Sequence, residues 1–156
     1  MKKRIITKDS YTIKNLQKDS YEVSKSKGFW EGFERGDLAA LSSQLLLIHS
    51  EVSEACELDR KSNLFKEEGY DILKPLYEDT EGEYTEKARE IVPISADGSY
   101  IEIRPNKPVS LGSELADIVI RTAQLAEHLN LDLDFYIKEK MVYNTSRKVK
   151  HGGKKY

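Results

Sequence analysis

Two carboxylates lie three residues apart in an apolar stretch of a predicted helix. The stretch LLLIHSEVSEACEL holds Glu51 and Glu54. At about 100° per residue, apolar side chains bracket Glu51, and Glu54 lies beside Leu47. A buried carboxylate costs several kcal/mol unless it is protonated or meets a positive charge. Because two such groups on adjacent turns raise that cost, the pattern predicts a bound cation.

A second acidic pair, Glu114 and Asp117, occurs in GSELADIVIR. Glu114 borders an apolar stripe, whereas Asp117 lies further round the helix and could instead pair with Arg121. Residues three apart on a helix are neighbours, so two antiparallel helices with such pairs would bring four carboxylates together. All-oxygen ligands favour Mg²⁺, with Mn²⁺ as the alternative. The other interpretation is that both pairs are solvated surface.

A third set of polar residues follows near the C-terminus, where Lys140, Tyr143, Asn144 and Arg147 have the spacing i, i+3, i+4, i+7. This spacing places them on one helix face. A cation and an amide on an inward face are groups that bind a phosphate ester. The alternative is a solvated basic last turn, which is also favourable at a helix C-terminus.

The elements that carry these residues are predicted from hydrophobic periodicity and end signals. We expect four helices, at about 12–27, 38–61, 110–129 and 132–147. Asp37 is the expected N-cap of the second helix, Ser110 or Ser113 that of the third, and Asn130 suits the end of the third. Residues 62–90 are polar and are expected to hold one or two short helical turns. The pattern IVPI-SADG-SYIEIR predicts a β-hairpin at 91–104.

The apolar arc of the second helix is predicted to be buried and to hold Glu51 in place. On the helical wheel, its members are Leu45, Ile48, Val52, Ala55 and Cys56. Cys56 is therefore interpreted as a small core residue.

Composition predicts one domain over residues 1–156. Charged residues make up 33% of the chain and the net charge is -2, so stable nucleic-acid binding is not expected. No apolar run reaches the roughly 18 residues of a membrane span, and no signal peptide is recognisable. A single cysteine is typical of a reducing compartment. We therefore expect a cytoplasmic protein that does not bind membranes.

The ordered set E51-V-S-E54, E114-L-A-D117 and K140-x-x-Y-N144-x-x-R147 resembles the all-α nucleoside triphosphate pyrophosphohydrolase superfamily, in particular its MazG-like members. The similarity covers most of the chain, from KGFWE at residue 27 to the HGGKK tail. It implies an all-α, MazG-like four-helix bundle that forms a homodimer or homotetramer. It also implies a Mg²⁺-dependent enzyme that hydrolyses a nucleoside triphosphate to its monophosphate and pyrophosphate.

The resemblance also implies roles for individual residues. The metal ligands would be Glu51, Glu54, Glu114 and Asp117. The substrate-binding residues would be Lys140, Tyr143, Asn144, Arg147, Phe29 and Trp30, the last two beside the base. We assign catalytic roles to Glu54, which would orient or deprotonate water, and to Lys140, which would stabilise developing charge. The alternative for Phe29 and Trp30 is a hydrophobic loop anchor.

The chain departs from compact members of this superfamily by an insertion of about 62–109, which includes the predicted hairpin, and it ends in a basic tail, 148–156. Glu54 and Glu114 are consequently 60 residues apart. Three roles remain open for the insertion: a lid, a specificity element or an oligomer contact. Two other functions also remain: a helical nucleotide-binding or interaction protein without turnover, and a related phosphoribosyl-ATP-type pyrophosphohydrolase.

Overall fold

The computed structural model describes residues 11–79, 81–86 and 106–147, and within them the protein is mostly helical. The helices are α1 (Ile13–Ser26), α2 (Leu38–Glu67), α3 (Leu111–His128) and α4 (Leu133–Ser146), and the strands are β1 (Tyr77–Glu78), β2 (Tyr84–Thr85) and β3 (Lys107–Pro108). The predicted hairpin at 91–104 and the basic tail at 148–156 lie outside the described residues. No helix among the described residues is long and apolar enough to cross a membrane.

The predicted end signals at Asp37, Ser110 and Asn130 are confirmed. The Asp37 carboxylate accepts the N–H groups of Ala39 and Ala40, at 2.9 and 3.1 Å, and so caps α2. Ser110 Oγ accepts the N–H of Ser113 at 3.3 Å at the start of α3. Asn130, with φ of 59°, ends α3 in the left-handed conformation that favours Asn or Gly.

Helix α2 continues to Glu67, beyond the predicted end at residue 61. It ends in a Schellman motif in which Gly69 adopts a φ of +87°. The Gly69 N–H donates to Lys66 O at 3.1 Å, and the Tyr70 N–H donates to Phe65 O at 2.7 Å. Because residues 62–67 are mostly polar, hydrophobic periodicity did not predict that the helix continues through them. Gly69 was the sequence signal that could have placed the helix end.

The chain divides into two compact units. The terminal unit comprises Met1–Gln44 and Ile120–Tyr156, and the central unit comprises Leu45–Val119. In the terminal unit α1 packs against α4. Its buried residues include Trp30, Phe33, Ala123 and Ala126. Gln17, only 3% exposed, donates to Leu131 O at 2.9 Å and accepts the Leu133 N–H at 3.1 Å, which fastens the α3–α4 connection to α1.

The core of the central unit forms where the end of α2 meets the segment before α3. It consists of Phe65, Ile72, Leu76 and Val109. Beside this core lies a three-stranded antiparallel sheet in the order β2-β1-β3, with Glu78 opposite both Tyr84 and Lys107. Within 62–90, where one or two short helical turns were expected, residues 62–67 continue α2, and the strands at 77–78 and 84–85 were not predicted. Strands of two residues are too short to produce an alternating pattern.

The predicted apolar arc of α2 is buried only in part. Ala55 is buried, but Leu45 is 53% exposed, Val52 is 42% exposed and Cys56 is also exposed. The interpretation of Cys56 as a core residue was wrong, because nothing in the described part of the chain covers that face of α2 deeply enough. Glu51, in contrast, is only 5% exposed.

Candidate metal centre

Three carboxylates meet in the central unit, contributed by α2 and α3. One carboxylate oxygen each from Glu51, Glu114 and Asp117 lies within 4.8 Å of the others. Glu51 and Glu114 are buried, and Asp117 is exposed. We call these residues the carboxylate trio. The structure thus brings together three of the four predicted ligands, including Asp117, whose position on the helical wheel was the least favourable.

Main-chain hydrogen bonds fix the first turn of α3, which carries Glu114. Just before the helix, the Val109 N–H donates to Leu76 O at 2.9 Å and the Leu111 N–H donates to Ile72 O at 3.0 Å. The Ser110 cap then orients the first turn. Because Val109 and Leu76 also belong to the core of the central unit, Glu114 is positioned by the best-packed part of that unit.

The electrostatic surroundings of Glu114 favour its neutral form. Burial raises the pKa of the Glu114 carboxyl above its ordinary value, and the nearby charge of Glu54 raises it further. Asp117 and Glu51 raise the same pKa, and Lys107 lowers it. A divalent cation at the trio would reverse this balance, because it interacts favourably with each ionised carboxylate.

Glu54 lies outside the trio and lines an adjacent cavity. The cavity has a volume of about 150 Å³ and is bounded by the second half of α2, the sheet and the start of α3. Glu114 lines this cavity as well and therefore belongs both to the trio and to the cavity. Glu54 is exposed.

The predicted phosphate-binding residues lie on α4, in the terminal unit. Lys140, Tyr143, Asn144 and Arg147 are all exposed. Lys140 Nζ is 5.1 Å from the centroid of the Tyr143 ring, and the Arg147 guanidinium carbon is 6.0 Å from it. Both cations lie beside one aromatic ring on an exposed face, as in the alternative of a solvated last turn, and not on the inward face that the phosphate interpretation assumed.

Phe29 and Trp30 differ in their availability to a ligand. Phe29 is 63% exposed, whereas Trp30 is 9% exposed. The Trp30 indole N–H donates to Ser24 Oγ at 2.6 Å, and its ring stacks on His128 with centroids 4.6 Å apart. The packing of Trp30 is that of a loop anchor, whereas the exposed ring of Phe29 can contact a ligand.

The other residues that line the cavity were not predicted from the sequence. On α2, Glu54, Leu58, Lys61 and Phe65 recur at i, i+4, i+7 and i+11, a spacing that places them on one face and was available as a signal. Tyr84 and Lys107 reach the cavity from the two-residue strands β2 and β3, which give no periodic signal.

Comparison of the chain with protein-family models, with curated proteins and with solved structures finds no match.

Proposed function

We propose that the protein is a Mg²⁺-dependent nucleoside triphosphate pyrophosphohydrolase with a MazG-like four-helix bundle. The observation that carries the proposal is the carboxylate trio, with acidic side chains from two helices brought to one point and two of them buried. The motif resemblance supplies the reaction, since the trio alone is compatible with other metal-dependent chemistry.

The residues of the trio fit a hard divalent cation. Their donors are all carboxylate oxygens, the ligands that Mg²⁺ and Mn²⁺ take in proteins. The raised pKa of Glu114 further supports a cation, because its causes are burial and like charge. A bound Mg²⁺ supplies neutralisation of phosphate charge and lowers the pKa of water.

In the proposed reaction, the oxygen of a water molecule attacks the α-phosphorus. The bond from that phosphorus to the bridging oxygen breaks, and pyrophosphate leaves with the electron pair. Glu54, outside the trio, accepts the proton of the water. Lys140 stabilises the charge that develops on phosphate oxygens, assisted by Arg147, while Tyr143 and Asn144 hold the nucleotide. Phe29, whose ring is exposed, is proposed to contact the nucleotide, whereas the predicted role of Trp30 beside the base is not retained because its ring is buried.

We further propose that the active form is a homodimer or homotetramer in the cytoplasm. Apolar side chains are exposed along α4, including Phe135 at 54%, Met141 at 62% and Val142 at 71%. Leu46 on α2 is 69% exposed. Exposed apolar residues in this number are typical of association surfaces. The charge balance of the chain supports neither nucleic acid nor membrane as a stable partner.

A substrate screen tests the proposed function. The eight common ribo- and deoxyribonucleoside triphosphates are incubated with the full-length protein, with and without Mg²⁺, and released pyrophosphate is measured. We expect Mg²⁺-dependent release that Glu51→Gln abolishes. Glu67→Gln, an exposed change on the same helix, is the matched control and should retain activity. Nucleotide binding without pyrophosphate release would refute hydrolysis and favour a non-catalytic binder.

A further inference from the structure

The cavity beside the carboxylate trio is built in large part by the inserted segment. Glu78, Tyr84 and Lys107 come from the three strands, and Val109 follows directly after β3. Helix α2 contributes the opposite wall with the stripe that contains Leu58. Because Glu54 and Glu114 line the same cavity, a ligand with its phosphates at the trio would extend into it.

The size of the cavity and the apolar part of its lining match a single flat ring. A space of about 150 Å³ is large enough for a six-membered aromatic ring, and Leu58, Phe65 and Val109 form the apolar part of a lining that is otherwise mostly charged. Of these apolar residues, Phe65 and Val109 are buried and Leu58 is half-buried. Tyr84 packs edge-on against Phe65, with centroids 5.2 Å apart, so both aromatic rings are fixed before a ligand enters.

The charges around the cavity disfavour a polyphosphate and favour a neutral heterocycle. The glutamates Glu54, Glu57, Glu78 and Glu114 outnumber the two lysines that line it. Like charge close to a polyphosphate is repulsive. The edge of a nucleobase, in contrast, presents both donors and acceptors, which carboxylates and the Lys61 and Lys107 ammonium groups can satisfy.

We propose that this cavity receives the base of the nucleotide and that the insertion is therefore the element that determines substrate specificity. Phe65, Leu58 and Val109 contact the ring faces, and Glu78, Lys61 and Lys107 bind its polar edge. The identity of the ligand as a nucleotide rests on the proposed function. The assignment of the cavity to a flat heterocyclic ring rests on the residues that line it.

Nucleosides, which carry no phosphate, test the assignment directly. The full-length protein is labelled with ¹³C in its Leu and Val methyl groups and titrated with adenosine, cytidine, guanosine and uridine without Mg²⁺. At least one nucleoside should shift the methyl resonances of Leu58 and Val109. Val52, which is exposed on α2 and does not line the cavity, is the internal control and should not shift.

Tripolyphosphate provides the opposite probe, because it has no base. It should leave the Leu58 and Val109 resonances in place, and equal shifts with nucleoside and tripolyphosphate would overturn the proposal. The absence of a shift with all four nucleosides would also overturn it. Lys61→Met should weaken nucleoside binding by about fivefold, the effect of one hydrogen bond, whereas the matched variant Lys66→Met should not.

Different results would refute the proposed hydrolase function and the proposed base cavity. Pyrophosphate release without nucleoside shifts at Leu58 and Val109 refutes the base cavity and leaves the hydrolase. Nucleoside shifts without pyrophosphate release from any triphosphate support the cavity and refute hydrolysis.

Discussion

The terminal and central units bury polar side chains in opposite ways. In the terminal unit, Gln17 exchanges hydrogen bonds with the main chain of Leu131 and Leu133, and Ser24 accepts the Trp30 indole N–H. In the central unit, the buried carboxylates Glu51 and Glu114 lie against each other and against Asp117. The first arrangement joins donors to acceptors, whereas the second brings three acidic side chains to within 4.8 Å of one another.

This difference has consequences for stability. A buried polar group with its hydrogen bonds made contributes modestly to stability, and removing its partner costs more than the bond itself. Buried carboxylates placed together oppose folding until they are protonated or meet a cation. We therefore expect changes in the terminal unit to destabilise the protein, and neutralisation of a trio carboxylate to do so much less.

The largest expected effect is that of Trp30→Ala. This change removes a buried ring that stacks on His128 and Phe33. Truncation of a buried tryptophan to alanine costs about 3–5 kcal/mol. Chemical denaturation followed by circular dichroism measures the loss, and Phe29→Ala, at the exposed neighbouring position, should stay within about 0.5 kcal/mol of the wild type. Similar losses for both variants would contradict the assignment of Trp30 to the core.

A smaller loss is expected for Gln17→Leu. The apolar side chain leaves Leu131 O and the Leu133 N–H without their partner, at a cost of about 1–3 kcal/mol. The same denaturation experiment measures it, with the exposed Lys18→Leu as control. An unchanged unfolding midpoint for Gln17→Leu would mean that water replaces the amide. It would contradict the stabilising role assigned to the hydrogen bonds of Gln17 in the terminal unit.

His128 is expected to give the terminal unit a modest pH dependence. Burial lowers the pKa of His128 below its ordinary value of 6.5, and Arg35 lowers it further. The buried Nε2 has no hydrogen-bond partner among the described residues, so protonation would place an N–H there without an acceptor. Because the unfolded chain binds this proton more tightly, stability should fall as the pH drops from about 6.5 towards the lower folded-state pKa.

Urea denaturation of the wild type and His128→Phe, from pH 7.5 to 5, checks this dependence. The wild type should lose stability over the lower part of that range, and the variant should lose less. Parallel curves for the two proteins would assign the pH dependence to other groups.

Much of this molecule could be predicted from its sequence because the relevant signals are local. The Asp37 and Ser110 caps and the Asn130 terminus are set by neighbouring residues, and the i, i+3 spacing of each acidic pair places it on one helix face. The sheet could not be predicted, because two-residue strands are held by pairing with distant segments, as Glu78 is with Lys107. The exclusion of Glu54 from the trio depends on how α2 meets α3, which helical periodicity does not determine.

The smallest expected effect on stability is that of Glu114→Gln, and this variant also provides the most direct test of the carboxylate trio. Without Mg²⁺, Glu114→Gln should be as stable as the wild type or more stable, since it removes a carboxylate whose pKa is raised by burial and by Glu54. Linkage gives the sign for Glu114 alone: the folded wild type binds this proton more tightly than the unfolded chain, so the contribution of Glu114 to stability should increase as the pH falls towards 4.5 and should be absent from Glu114→Gln.

Added Mg²⁺ should reverse the order of the two proteins. The unfolding free energy of each is measured at pH 7.5 as the Mg²⁺ concentration is raised, with Glu67→Gln as the matched control. Binding to the folded wild type should stabilise it by about 2.7 kcal/mol when Mg²⁺ reaches 100 times its dissociation constant, and the control should respond equally. Glu114→Gln should gain little. Equal stabilisation of wild type and Glu114→Gln, or none in the wild type, would contradict the assignment of the carboxylate trio as a metal site.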